Sequence, residues 1–200
     1  MSAFLLSTIV IFVAELGDKS QLMAMTFATR FRALPVLIGI SVATAIVHLA
    51  SVLLGAALGT AIPTGPISIL AGVAFLGFAV WTLRGDELTE DERRKAATTS
   101  KAAILAVGTA FFLAELGDKT MLATVTLAAD NSGSGAATPA LIGVWAGSTI
   151  GMVAADALAI AVGQALGKRL PERMIKFGAA AAFAIFGLLL ISDGMRTLSS

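Results

Sequence analysis

The stretch AELGDK at Ala14–Lys19 recurs at Ala114–Lys119, and each copy lies inside a long apolar segment. The flanking residues also match, so that Phe12–Ser20 aligns with Phe112–Thr120. Glu, Asp and Lys rarely stand together among Val, Leu, Ile and Phe unless they have a structural or chemical role. The repetition predicts a fold with two equivalent halves and one such charged segment in each half.

The composition favours a membrane protein. Hydrophobic residues make up 57% of the 200 residues and charged residues 14%, with a mean hydropathy of +0.90, whereas soluble domains carry about 25% charged residues. The absence of cysteine excludes disulfides and thiolate metal sites. A helix that spans a bilayer needs about 20 mostly apolar residues. The sequence offers six such segments, at roughly 3–28, 35–60, 66–84, 102–128, 139–166 and 173–195.

The basic residues predict how these segments cross the membrane. Eleven of the 14 Lys and Arg residues lie at the connections after the first, third and fifth segments, which places those connections in the cytoplasm and both termini outside it. We therefore predict a first three-helix repeat over 1–84, a charged cytoplasmic linker over 85–101 and a second three-helix repeat over 102–200. The lipid bilayer is the expected partner, and no nucleic-acid partner is expected.

Each half contains an odd number of spans, so the second half must cross the membrane in the opposite direction. The expected fold is an all-α integral membrane protein with six transmembrane helices arranged as two inverted three-helix repeats, an architecture of many secondary transporters. Helices 2 and 5 can be aligned through Pro35 and Pro139 or, four residues away, through the glycines near their ends. Only the second alignment makes His48 the equivalent of Asp156.

The charges of the two motifs point to cation chemistry. In a helix Glu15, Asp18 and Lys19 share one face, and the same holds for the second copy. Each charged side chain at a lipid-facing helix centre costs about 2.5–3.5 kcal/mol, so these groups must face each other, a cavity or an ion. Four carboxylates and two ammonium groups leave a formal charge of −2. One divalent cation or two protons would neutralise that charge.

Particular residues of the two motifs and of helices 2 and 5 are candidates for binding the cation or supporting its ligands. The predicted metal ligands are Glu15, Asp18, Glu115 and Asp118. Residues that would support the ligands or couple the site to protons are Lys19, Lys119, Ser20, Thr120, Gln21, His48 and Asp156. Gly17 and Gly117 either break their helices or permit close helix packing. His48 either packs in the core, relays protons or reaches the ion, in which case its nitrogen favours Mn²⁺ over Ca²⁺.

The doubled E-φ-G-D-[KR]-[ST] motif resembles the signature of the second calcium:cation antiporter family, which includes Golgi manganese/calcium–proton exchangers and bacterial manganese exporters. The matching residues are Glu15–Ser20 and Glu115–Thr120, and the resemblance extends over nearly the whole chain. It implies proton-driven transport of Mn²⁺ or Ca²⁺, with the motif carboxylates as ligands and protons as counter-ion. For a bacterial plasma-membrane member it implies Mn²⁺ export. No resident cofactor is expected.

Other functions are open at this stage. An exporter of a small cationic amino acid or amine also needs acids, but the two tryptophans, Trp81 and Trp145, lie outside the motif helices. A passive divalent-cation channel would use the same ligands without proton coupling. An enzyme is not expected, because the chain has one histidine and no HExxH motif. Both a monomer and a homodimer are compatible with the sequence.

Overall fold

The computed structural model describes residues 2–28, 31–61, 63–84, 103–132, 137–166 and 172–199, and the regular elements of these residues are all helices. They are α1 (Ala3–Glu15), α2 (Lys19–Ala28), α3 (Ala33–Ala61), α4 (Thr64–Arg84), α5 (Ala103–Glu115), α6 (Lys119–Ser132), α7 (Ala137–Leu166) and α8 (Glu172–Ser199). The all-helical fold class is confirmed for this part of the chain. The predicted linker at 85–101 lies outside the described residues.

Three of the described helices contain segments long and apolar enough to cross a membrane, namely Ala33–Ala61, Thr138–Gln164 and Ala180–Ser199. Three further apolar segments are shorter, namely Ala3–Glu15, Gly65–Trp81 and Ala103–Glu115. Many of their leucine, isoleucine and valine side chains are exposed. An apolar outer surface is expected of helices that are surrounded by lipid. The arrangement of six spans as inverted repeats stays a prediction.

Both motifs divide the spans predicted at 3–28 and 102–128, so that of the two alternatives for Gly17 and Gly117 the structure has the helix break. α1 ends at Glu15 and α2 begins at Lys19, and α5 and α6 are divided at the corresponding residues. The backbone φ angle is 76° at Gly17 and 80° at Gly117. Glycine adopts this left-handed conformation without the steric cost that a Cβ atom imposes, so each motif interrupts its own helix.

Each broken helix packs against the long helix of the other half. α1 and α2 contact α7, while α5 and α6 contact α3. Glycines allow this close packing. A Cβ atom on Gly147 would lie 2.3 Å from the carbonyl oxygen of Phe4, and a Cβ atom on Gly39 would lie 2.8 Å from the carbonyl oxygen of Ile104. Phe4 and Ile104 are equivalent in the motif alignment, so Gly39 and Gly147 occupy equivalent positions in the two halves.

A second pair of glycines gives the same register. A Cβ atom on Gly55 would lie 2.3 Å from the carbonyl oxygen of Val125, and one on Gly163 would lie 2.7 Å from the Cε atom of Met25. Both glycine pairs therefore relate α3 to α7 by the same shift in residue number. This packing favours the glycine alignment over the proline alignment.

The remaining two helices, α4 and α8, form an antiparallel pair with close backbone contact. A Cβ atom on Gly72 would lie 2.5 Å from the Gly187 carbonyl oxygen, and a Cβ atom on Gly187 would lie 2.7 Å from that of Gly72. Phe75 of α4 packs on Phe183 of α8, with ring centroids 5.7 Å apart. The pair adjoins α1 and α6, which carry parts of the two motifs.

Candidate cation site

The two helix breaks come together in the interior, where the charged groups of one motif meet those of the other. The Lys119 ammonium group forms an ion pair with Asp18, and Lys19 Nζ lies 3.4 Å from Asp118 Oδ1. Each lysine therefore pairs with the aspartate of the opposite half. Lys119 is 3% exposed, whereas the side chain of Lys19 is 19% exposed, so the two ion pairs are unequally buried.

A tight turn at each break directs the aspartates inward. The backbone N–H of Asp18 donates to the Glu15 carbonyl oxygen at 3.1 Å, and that of Asp118 donates to the Glu115 carbonyl oxygen at 3.2 Å. Both aspartate side chains are buried. The turn thus places an acid before and an acid after each break in the same interior region.

The two glutamates are also buried but are only partly satisfied. The Thr120 hydroxyl donates to Glu115 Oε2 at 2.7 Å. Within the described residues, neither carboxylate oxygen of Glu15 has a hydrogen-bond partner, and Glu115 Oε1 has none either. Burial of an ionised carboxylate without a partner is strongly unfavourable. These oxygen atoms therefore need a proton or a cation.

Asp156 of α7 adds a fifth buried carboxylate to the four of the motifs. It is 0% exposed, and it lies within electrostatic reach of Glu15, Glu115 and Asp18. Neither of its oxygen atoms has a hydrogen-bond partner in the described part of the chain. In the register that the glycine contacts give, its equivalent on α3 is His48. With five carboxylates and two ammonium groups, the formal charge of the cluster becomes −3 when all are ionised.

Polar side chains of α2 support the first break. Gln21 Oε1 accepts from the Gly17 backbone N–H at 2.8 Å, and Gln21 Nε2 donates to the Ala155 carbonyl oxygen at 3.0 Å. Ser20 donates to Asp18 Oδ2 at 3.4 Å. Gln21 therefore satisfies the N–H that the break leaves free, and it joins the break to α7.

The second break has a different support. The Gly117 backbone N–H lies 3.1 Å from the thioether sulfur of Met121, which occupies the position equivalent to Gln21. A thioether is a weak acceptor and has no donor. The second break consequently has no counterpart of the amide bridge that Gln21 makes to α7. The two breaks therefore differ in the polarity of the side chains that support them.

His48 joins α3 to α7 through a side-chain contact. It is 1% exposed, and its Nδ1 lies 3.3 Å from the hydroxyl oxygen of Thr149. The Thr149 hydroxyl itself donates to the Trp145 carbonyl oxygen at 2.8 Å. Nδ1 therefore acts as the donor to Thr149, which leaves the lone pair of the neutral ring on Nε2. Sequence reasoning missed Thr149, because nothing in its local sequence indicates contact with a histidine 101 residues away.

The acids are close but are not assembled around an ion. Among the described residues, no three His, Asp or Glu side chains stand near enough to one another to hold a metal ion. The two lysines instead serve as counter-ions of the aspartates. A bound divalent cation would compete with the lysines, so occupancy of the site requires these side chains to rearrange.

Comparison with known proteins identifies the family. The family model described as divalent cation/proton antiporter GDT1 matches residues 3–90 and 103–198. The chain belongs to this family. Membership confirms the family expected from the doubled motif, and it makes the chain a membrane transporter and not an enzyme. It also favours a divalent cation over the amine substrate, and proton exchange over a passive channel.

Individual relatives agree with membership of the GDT1 family. A Vibrio cholerae protein named "Putative manganese exporter" is 30% identical over 189 residues, covering 94% of this chain and 90% of its own length. A GDT1-like protein of Synechocystis is 28% identical, covering 94% of this chain and 96% of its own length. Protein PAM71 of Arabidopsis thaliana is 30% identical, but the chain spans only 56% of its length. No solved structure matches the chain.

Proposed function

We propose that this GDT1 protein exchanges Mn²⁺ for protons and exports Mn²⁺ from the cytoplasm by alternating access, with Ca²⁺ as the second candidate substrate. One observation carries the proposal. Glu15 is fully buried, its oxygen atoms have no hydrogen-bond partner among the described residues, and it lies within electrostatic reach of Glu115 and Asp156. A group in that setting needs either a hard cation or a proton.

The mechanism follows from charge balance. Carboxylate oxygens suit Mn²⁺ and Ca²⁺ as ligands, and the same oxygens accept protons when the cation leaves. Glu15, Asp18, Glu115 and Asp118 are the proposed ligands. Because Asp18 is paired with Lys119, a cation that binds Asp18 must displace that ammonium group. The lysine can return when the cation leaves, which keeps the empty site from collecting unbalanced negative charge.

Alternating access requires two states of similar energy, and a pair of equivalent halves supplies them. We propose six spans in two inverted repeats, over 1–84 and 102–200, joined by a cytoplasmic linker at 85–101. The equivalent contacts of Gly39 and Gly147 support the repeat. Both termini would lie outside the cytoplasm, and a bacterial plasma membrane is the proposed location. The substrate would approach the site from opposite sides in the two states.

Two observations favour manganese. The Vibrio cholerae relative is named for manganese export. The buried His48 has a ring nitrogen lone pair, and nitrogen ligands suit Mn²⁺ better than Ca²⁺. No resident cofactor has a role in this mechanism.

The experiment is ion flux into sealed proteoliposomes under an imposed pH gradient. The purified wild-type protein should drive Mn²⁺ uptake that stops when the gradient is collapsed. Glu15→Gln should abolish this flux, because it removes the anionic oxygens, whereas the exposed control Asp193→Asn should retain it. Flux in the wild type that is insensitive to the pH gradient, or normal flux in the Glu15→Gln variant, would contradict the proposal.

A further inference from the structure

The carboxylate of Asp156 has no structural explanation in the packing of α7. It is completely buried, and neither of its oxygen atoms has a hydrogen-bond partner in the described residues. Thr149, on the same helix, behaves differently, since it donates to a backbone carbonyl and accepts from His48. A structural role for a buried acid normally includes hydrogen bonds to it. Asp156 therefore points to a ligand.

The backbone next to Asp156 is fixed to the first motif. Gln21 donates to the carbonyl oxygen of Ala155, and the same amide accepts from Gly17 at the helix break. This bridge holds α7 against the break at the level of the carboxylates. The electrostatic interaction of Asp156 with Glu15 is consistent with that position. The acid is thus held beside the motif by a dedicated side chain.

The lysines distinguish the two aspartates of the motifs from the other three carboxylates, of which Glu115 accepts a hydrogen bond from Thr120. The two aspartates of the motifs are in ion pairs with the lysines of the opposite halves. Glu15 and Asp156 have no such ion pair within the described residues. Lys119 acts on Glu15 electrostatically without a direct ion pair, so an incoming cation can bind these two acids without first breaking an ion pair. The geometry favours Glu15 and Asp156 as the first contacts and the aspartates of the motifs as later ones.

We infer that Asp156 is a direct ligand of the transported divalent cation and that it makes the site chemically unequal between the two halves. The equivalent of Asp156 on α3 is His48, so α3 has no acid at this position. The equivalent of Gln21 is Met121, which cannot make the amide bridge. The inference deepens the proposed function and rests on it. The inference goes beyond the motif, because Asp156 lies on α7 and neither copy of the motif does.

The first test compares two aspartates that differ in burial. Mn²⁺ is titrated calorimetrically into purified Asp156→Asn and into the exposed control Asp193→Asn, both in detergent. Because even indirect support of a metal ligand is worth about tenfold in affinity or more, Asp156→Asn should weaken Mn²⁺ binding by at least about tenfold. Asp193→Asn should bind Mn²⁺ as the wild type does. Wild-type affinity in Asp156→Asn would overturn the inference.

A second variant separates direct ligation from a long-range charge effect. The chain contains no cysteine, so Asp156→Cys introduces a single thiol. A thiolate ligand prefers soft metals. If Asp156 contacts the ion, Asp156→Cys should lose Mn²⁺ affinity and bind Cd²⁺ more tightly than Asp193→Cys does. Equal Cd²⁺ affinity in these two cysteine variants would show that residue 156 does not touch the metal.

The wild-type protein provides a test that needs no variant to fold. Dicyclohexylcarbodiimide modifies carboxyl groups in apolar surroundings, and peptide mass spectrometry locates the modification. Mn²⁺ should slow modification of Asp156, whereas the exposed Asp193 should show little modification with or without Mn²⁺. Equal rates at Asp156 with and without Mn²⁺, in a protein that binds Mn²⁺, would defeat this inference alone. Absence of any divalent-cation binding would defeat the proposed function as well.

Discussion

Replacement of Lys119 by methionine tests the buried ion pair between the two halves. Methionine keeps much of the length of lysine and removes the charge. Asp18 is 1% exposed and Lys119 is 3% exposed, so the substitution leaves a buried carboxylate without its counter-ion. Breaking a buried pair in this way costs about 3–5 kcal/mol. Lys119→Met should therefore lower the stability of the cation-free protein by about that amount.

Lys19→Met is the matched control, because Lys19 has the equivalent position and a weaker pair. Its Nζ lies 3.4 Å from Asp118, and its side chain is 19% exposed. Solvent reaches the Lys19 ammonium group but not the Asp118 carboxylate, so the loss of this pair should cost more than the ~1 kcal/mol of an exposed pair and less than the loss of the fully buried pair. For a chain of this size 1 kcal/mol corresponds to about 2–4 °C in Tm. Lys119→Met should thus unfold about 10 °C below the wild type, and Lys19→Met should lose clearly less than that.

The assay is thermal unfolding in detergent, with and without saturating Mn²⁺. A cation that takes the place of the ammonium group beside Asp18 stabilises the folded state by binding to it. Mn²⁺ should therefore raise the Tm of Lys119→Met by more than it raises that of the wild type. Equal losses in the two lysine variants, or no larger effect of Mn²⁺ on Lys119→Met, would show that Lys119 is not the buried counter-ion of Asp18.

Two further predictions concern packing and pH. Gly72→Ala should destabilise the α4–α8 pair by about 1–3 kcal/mol, since its Cβ would lie 2.5 Å from a carbonyl oxygen of α8. A Cβ atom on Gly77 would meet no neighbouring element within 4 Å among the described residues, so Gly77→Ala should be tolerated in the same thermal assay. Burial raises the pKa of Asp130, at the end of α6, while a hydrogen bond from Ser68 opposes the rise. Wild-type stability should fall as pH rises through that elevated pKa, because the ionised carboxylate is less favourable in the folded protein. Asp130→Asn should therefore be more stable than the wild type at pH 7. Equal stability of the two proteins at pH 7 would contradict this prediction. The gain should vanish below the ordinary Asp pKa of 3.8.

The repeat in the sequence predicts that the charged residues of the two motifs lie in one region. In the structure the lysine of each motif pairs with the aspartate of the other. The sequence could not decide which lysine pairs with which aspartate. Within one motif Asp18 and Lys19 are adjacent, and only the tertiary structure shows that Asp18 pairs with Lys119.

The register of α3 and α7 was likewise undecided by sequence. The two alignments differ by four residues, about one helical turn, so both keep nearly the same helix face toward the core. Contacts of Gly39 and Gly147 with α5 and α1 distinguish the two alignments. The sequence also left two alternatives for Gly17, because a glycine in an apolar helix suits both a helix break and close helix packing. The φ angle of 76° at Gly17 shows that the helix breaks there.

If the buried carboxylates are neutralised either by a divalent cation or by protons, binding of the cation must release protons. Proton release during Mn²⁺ binding is therefore the decisive measurement. Mn²⁺ is titrated into the purified protein by calorimetry in buffers of different ionisation enthalpy, which yields the number of protons released per cation bound. We predict release of about two protons at a pH where the empty site is protonated, and less release from Glu15→Gln. Tight Mn²⁺ binding with no proton release at any pH would contradict the claim.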